Sequence, residues 1–250
     1  MDFGIYEIMY YVYSAIAVLI ALTVHEYCHG YVAYKLGDDT ARNFGRLTLN
    51  PIKHIDPFGA ICMLLFRVGW AKPVPINARN FKNPKRDFAL VALAGPAANL
   101  ILGFFCAFFY LLALSSLIKN GGTTEFGANL LVNLTEFLGS FFAINIGLGL
   151  FNLLPIPPFD GSRLLNVILP PKTYFAVMKY ERQIYFGVLA WLLLGDVVAQ
   201  VLRMIPVIYH SPLLYDLVGV FALSDMLGWI INAVSNLIID FWQLIPFLKI

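Results

Sequence analysis

The chain has 250 residues, 60% of them hydrophobic and 13% charged, with a net charge of +2 and a mean hydropathy of +0.75. An ordinary soluble domain carries about a quarter of its residues charged, so this composition excludes one and describes an integral membrane protein. It gives no reason to expect a nucleic-acid partner. Cys28, Cys62 and Cys106 all lie in apolar stretches and form no spaced pair, so they read as small packing residues.

A membrane-spanning helix needs about 20 apolar residues. In chain order, such runs fall at about 8–36, 87–118, 127–158, 183–205 and 213–243. Two shorter apolar pieces, 57–69 and 160–169, suit re-entrant or partly inserted segments. The first run is too long for a cleavable signal peptide. Its end is marked by Lys35 and Gly37, a glycine being a natural stop after a helix.

Polar, proline-rich connections follow at 37–56 and 70–86, where RLTLNP and AKPVPIN show some alternation. They suggest a small sheet at the membrane edge, an exposed strand of which could pair with another backbone. The predicted fold is therefore an all-α membrane protein. It is a polytopic bundle of about five to six transmembrane helices with short re-entrant segments and a small membrane-edge β element. Residues 1–250 read as a single domain, with a core at about 8–170 and additional helices at 183–243.

Fifteen of the 17 Lys and Arg residues collect on one side of the predicted spans, leaving Lys119 and Arg203 on the other. The positive-inside rule then places the N-terminus outside and, with five spans, the C-terminus in the cytoplasm. The small size without accessory modules points to a microbial cytoplasmic membrane.

His25-Glu26-Tyr27-Cys28-His29 spells H-E-x-x-H inside the first apolar run. Histidines four apart lie on one face of a helix and can grip one Zn²⁺, with Glu26 beside them to handle a proton. Ionisable groups inside a span are costly and mark function by default. His25 lies ten residues before Lys35, about 15 Å deeper, so water needs a polar inlet from the cytoplasmic side.

A hydrolytic zinc takes three protein ligands. The best third candidate is Asp160 in NLLPIPPFDG (152–161), where three prolines break the end of a span and let a carboxylate turn inward. Asp160 also suits the N-cap of a short helix starting at Gly161. Asn99, in AGPAANL, is equally readable as a packing residue with one interhelical bond or as an amide that holds a substrate or an oxyanion. Asn152 either orients the proline-rich break or reaches the reaction centre. Asp196, near the centre of a predicted span, suits a wet cleft or an interhelical pair, and Glu136, Asp225 and Asp240 pose the same question. His210 has no evident role.

Four motifs together resemble the site-2 proteases, the intramembrane zinc metalloproteases. They are HEYCH at 25–29, NPIKHIDPFG at 50–59, GPAAN at 95–99 and NLLPIPPFDG at 152–161, spread over about residues 15 to 165. No inserted PDZ module or CBS pair is seen. The resemblance implies His25, His29 and Asp160 as ligands of one Zn²⁺ per chain and Glu26 as catalytic acid/base. It makes His54 a neighbour of the active site and leaves Asn99 and Asn152 as substrate or transition-state candidates. It also implies cleavage of a membrane-spanning substrate helix, such as that of an anti-sigma factor or another membrane-tethered regulator. A metal transporter or a non-hydrolytic regulator is the alternative. A transporter wants ligands along a path across the bilayer, whereas here they cluster at one depth.

Overall fold

A computed structural model describes residues 4–60, 70–121, 124–205, 211 and 223–250. Helix α1 (Ile5–Lys35) is followed by a single turn, α2 (Thr40–Asn43). Two long helices come next, α3 (Pro84–Asn120) and α4 (Glu125–Asn152). Short helices α5 (Gly161–Ile168) and α6 (Pro171–Met178) lead to α7 (Glu181–Arg203) and α8 (Leu223–Trp242). The fold is all-α, as the long apolar runs predict. Three helical stretches, 8–35, 84–119 and 125–152, are long and apolar enough to cross a membrane. They correspond to the first three predicted spans.

Each boundary has a local cause. At the end of α1, Gly37 takes φ +104°, the Gly37 N–H donates to Tyr34 and the Asp38 N–H donates to Ala33. This is the glycine-terminated cap that a left-handed residue permits. Helix α4 ends at Asn152, before Pro155, Pro157 and Pro158, because proline lacks the donor that helix continuation needs.

Helices α1, α3 and α4 pack against one another and form the centre of the molecule. Small residues set the α3–α4 approach. A Cβ on Gly103 would lie 2.7 Å from Ile146, and one on Gly149 would lie 2.8 Å from Leu100 and 3.1 Å from the Pro96 carbonyl. In a bilayer, where lipid is as apolar as leucine, such close packing is what holds helices together. Cys106 and Ala107 meet Phe142 and Ile146 there, and Ile231, Val234 and Trp242 of α8 cover them.

Two expectations need correction. The small membrane-edge sheet reduces, among the described residues, to one antiparallel bridge between Ile55 and Ala71. Pro73 and Pro75 carry no N–H, so a ladder cannot continue past Lys72. The C-terminus also lies at the opposite end from the one expected. The Phe247 carbonyl accepts from Ser115 Oγ and Lys119 Nζ, both at 2.9 Å, and Tyr10 of α1 shares a cavity wall with Leu117 of the same α3 end. Both termini therefore lie at one end of the bundle. The expected placement rested on reading 213–243 as one span, of which the structure describes Leu223–Trp242 as helix. Residues 213–222, like 61–69 of the short apolar piece and His210, fall outside the described residues, as do the side chains of Asp196 and Asp225. Moving Lys249 alters one of fifteen positions and leaves the charge bias intact.

Asp38 ties the end of α1 to the loop that returns toward it. Its carboxylate accepts from the Thr40 N–H and hydroxyl, from the Asn77 N–H at 2.7 Å and from Asn80 Nδ2 at 2.7 Å. Burial works against the charge, but these donors prevail and hold the carboxyl below its ordinary range. A carboxyl depressed in the folded state stabilises it above the unfolded value, near about 4, and that stability is lost as pH falls through the lower folded value. Thermal unfolding in detergent should show a midpoint that falls on acidification below about pH 4. Asp38→Asn should destabilise the fold at neutral pH by the roughly 1–3 kcal/mol of a buried donor left without an acceptor, and so lower the midpoint. It should also flatten the acid-side slope.

Candidate metal centre

His25 and His29 project from one face of α1, as their spacing requires. The proline-rich segment after α4 carries Asp160 back to them. Asp160 Oδ2 lies 3.0 Å from His25 Nε2 and 3.1 Å from His29 Nε2, and the two Nε2 atoms are 3.0 Å apart. Asp160 precedes α5 at the N-cap position but makes no side-chain cap hydrogen bond, so its carboxylate is directed to the histidines instead. Gly161 makes this turn possible, because a Cβ there would fall 2.2 Å from the Leu153 carbonyl oxygen.

The hydrogen bonds behind the histidines decide what the cluster can hold. His29 Nδ1 is 2.7 Å from the Val91 carbonyl, an acceptor only, so that nitrogen carries the proton. His25 Nδ1 is 2.6 Å from Asn99 Oδ1. The amide of Asn99 is oriented by its Nδ2, which donates to the Ala21 carbonyl at 3.1 Å and to Asn145 Oδ1 at 2.9 Å. With both Nδ1 atoms as donors, the two Nε2 atoms of neutral rings are bare acceptors. Two imidazole lone pairs and a carboxylate oxygen therefore converge, with all three ligand atoms within 4.8 Å of one another. Such a set calls for a cation. Its nitrogen and oxygen donors, its count of three and its outer hydrogen bonds suit a hydrolytic Zn²⁺ site.

Gly95 closes the floor. A Cβ on it would lie 2.4 Å from His29 Nε2 and 2.7 Å from His25 Nε2, so the α3 backbone passes against the ligand atoms themselves. His25 and His29 are buried, while the Asp160 side chain is 26% exposed. The approach to the cluster is thus from the Asp160 side.

Glu26 is buried, and its Oε2 accepts the Val74 N–H at 2.8 Å. Val74 belongs to the extended segment 70–77, pinned at further points. The Lys72 N–H donates to the His54 carbonyl at 2.9 Å, Arg46 Nη2 donates to the Lys72 carbonyl at 2.6 Å, and the Asn77 N–H goes to Asp38.

The structure thus brings together His25, Glu26, His29 and Asp160 on α1 and the facing loop. Asn99, fully buried, stands behind His25, its amide engaged by three protein partners. Asn152 donates to the Leu148 carbonyl at 3.0 Å, one turn back on its own helix. His54 lies beside α1 in the loop, its Nε2 2.8 Å from the Thr48 carbonyl. Val74, Val91, Gly95 and Asn145 were not singled out as site residues by the sequence. Two of them carried a signal that could have found them, Asn145 as an amide inside an apolar span and Gly95 as the first residue of GPAAN.

Comparison with known proteins agrees with this arrangement. The model of peptidase family M50 matches residues 13–133 and 114–195. A protein of Bacillus subtilis named "Putative zinc metalloprotease YwhC" is 47% identical over 163 residues, 64% of this chain and 70% of that protein. "Putative zinc metalloprotease MJ0611" of Methanocaldococcus jannaschii is 31% identical over 165 residues, 73% of its length. "Putative zinc metalloprotease Rip2" of Mycolicibacterium smegmatis is 31% identical over 163 residues, 58% of its length. No solved structure matches the chain.

Proposed function

The chain belongs to peptidase family M50, and from that premise we propose that it is an intramembrane zinc metalloendopeptidase that hydrolyses peptide bonds within membrane-spanning segments. The observation that carries this reading is the convergence of His25, His29 and Asp160 between apolar helices with Glu26 alongside. His25, His29 and Asp160 would hold one Zn²⁺, which when bound acidifies a water and polarises a carbonyl. Glu26 takes a proton at its free carboxylate oxygen and passes it to the leaving amine. Asn99 and the Val91 carbonyl keep the two imidazoles in the ligating tautomer.

Helical carbonyls are hydrogen-bonded and shielded, so the substrate helix unwinds before it is cut. The pinned segment 70–77 is the natural rail for the extended strand. The substrate is a membrane-tethered regulator, of which an anti-sigma factor is one example, and the site opens toward the cytosol at the Lys35 end. A transporter would need further ligand sets along its path. Among the described residues, this cluster is the group of three or more His, Cys, Asp and Glu that could hold a metal.

The test is the protein purified in detergent with bound zinc measured and a single-span polypeptide supplied. Cleavage that stops on chelation and returns with zinc supports the reading. Stoichiometric zinc with no cleavage across a panel of single-span polypeptides would favour a non-hydrolytic metal protein.

Val74→Pro is a second check. Flanked by Pro73 and Pro75, the substitution suits the extended backbone and removes the N–H that holds Glu26. A hydrogen bond to a charged group is worth about 1.5–3 kcal/mol, so kcat should fall roughly 10- to 100-fold, with zinc content unchanged. Loss of zinc in this variant would mean that Val74 supports the fold rather than Glu26.

A further inference from the structure

Glu136 is an acid on an apolar helix, and the metal centre does not use it. It interrupts the largely apolar stretch LLVNLTEFLGSFF (130–142) of α4 and is exposed. Among the described residues its carboxylate has no hydrogen bond or ion pair. An ionisable group in such a helix is costly unless it meets a partner or a wet cavity. Glu136 faces a hollow. Two cavities of about 450 and 400 Å³ share Tyr10, Val132 and Glu136 on their walls.

Local packing makes this hollow. Helix α4 presents Gly139, Ser140 and Ala143 to it, and a Cβ on Gly139 would lie 3.1 Å from the Tyr110 ring of α3. On the α1 side the Tyr13 hydroxyl donates to Asn133 Oδ1 at 2.9 Å, and the Tyr13 ring meets Phe137 edge-on. Ala17 and Ala21, next along that face of α1, are fully buried. The hollow thus stops short of the metal centre, and its walls include none of the three converging ligands.

Its depth follows from α1. Tyr13 and Tyr10 precede Lys35 by 22 and 25 residues, about 33 and 37 Å along a helix. The hydrocarbon core is about 30 Å thick. The hollow therefore sits at head-group level in the leaflet opposite the Lys35 end, where tyrosines gather.

Two polar groups meet at this level on one face of α4, three residues apart. Asn133 Oδ1 is taken by Tyr13, which leaves Nδ2 to donate. The Glu136 carboxylate accepts only. Its side chain leans toward the α4 N-terminus, and so toward Asn133. A donor for a phosphate beside an anion for a cation matches a zwitterion, and Val132, Leu114 and Leu117 add apolar wall.

We propose that this hollow binds a phospholipid whose head group ends in a primary ammonium, as in phosphatidylethanolamine. The ammonium donates to Glu136, the phosphate accepts from Asn133 Nδ2, and the glycerol end lies on the apolar wall. Choline carries no N–H, so its head group cannot make the bond to Glu136. A volume of this order suits a small ligand rather than a helix about 10 Å across. A membrane span on its way to the metal centre would find no passage here.

The experiment titrates the full chain in detergent with phosphatidylethanolamine, phosphatidylcholine or phosphatidylglycerol of identical acyl chains, and counts bound lipid by native mass spectrometry. The ethanolamine lipid should bind roughly tenfold or more tightly than the other two. Glu136→Gln should erase that preference, with zinc content and helical circular dichroism unchanged. Glu136→Lys should turn the preference toward the anionic glycerol lipid, a gain that a misfolded chain would not show. Glu125→Gln, an exposed acid at the start of the same helix, should change nothing. Equal affinity for all three lipids, or an ethanolamine preference that survives Glu136→Gln, overturns the proposal. So does a second result, obtained in nanodiscs of phosphatidylglycerol alone. There, tighter binding of a single-span polypeptide with a flanking lysine than of one with a flanking glutamate, lost in Glu136→Gln, would assign the carboxylate to a polypeptide instead of a lipid.

Discussion

Glu26→Gln should leave zinc bound at one per chain and reduce cleavage of a single-span polypeptide by about 10³-fold or more, within the roughly 10²–10⁴ that a positioned general base contributes. Zinc retention is expected because Glu26 is not among the converging ligand atoms, which belong to His25, His29 and Asp160. Its carboxylate is held by the Val74 N–H instead. The amide of glutamine keeps the shape of the side chain and an oxygen to accept that N–H, so the helix and the loop should stay in place. What it lacks is basicity. Zinc by elemental analysis and cleavage by mass spectrometry separate the two properties. A variant that cuts as fast as the wild type would remove Glu26 from the proton-transfer step. One that loses zinc would make it a structural support of the ligand set.

The legible parts of the site were those that violate the local rules of a membrane protein. His25 and His29 interrupt an apolar run at helical spacing, and three prolines before Asp160 break a span at membrane depth, so both could be located without coordinates. Asn99 was visible as a polar residue among small ones, but its partners lie 74 and 46 residues away in sequence, and only packing reveals that its amide is directed at His25. Val74 contributes through its backbone, which sequence does not label. The prolines around it were visible, and they are why the predicted sheet edge stops at a single bridge. The side on which the chain ends was not legible. It depends on the parity of spans, which an apolar run does not fix by its length alone. The bond from Lys119 to the Phe247 carbonyl places the end of the chain beside the end of α3.

Gly95→Ala should abolish stoichiometric zinc binding although no ligand is changed. The added methyl would stand 2.4 Å from His29 Nε2 and 2.7 Å from His25 Nε2 and Cε1, far inside van der Waals contact. Three structures resist its accommodation. The imidazoles cannot swing away freely, because His25 is fastened through Asn99 to Ala21 and Asn145, and His29 is fastened to Val91. Helix α3 cannot retreat freely, because on its other flank Gly149 of α4 already packs against Leu100 and the Pro96 carbonyl. Helix α1 is fixed at its end by the Gly37 cap and by Asp38. The strain must therefore fall on the ligand triangle. Disturbing the support of a metal ligand costs about 10–100-fold in affinity, and a direct clash with two ligands should exceed that. Zinc titration of the chelator-stripped variant against wild type measures it, with helical content by circular dichroism as the control for folding. Gly95→Ala with full zinc and a wild-type affinity would mean that α3 and α1 are free to separate, and that the close passage of backbone against the histidines is not what defines this metal site.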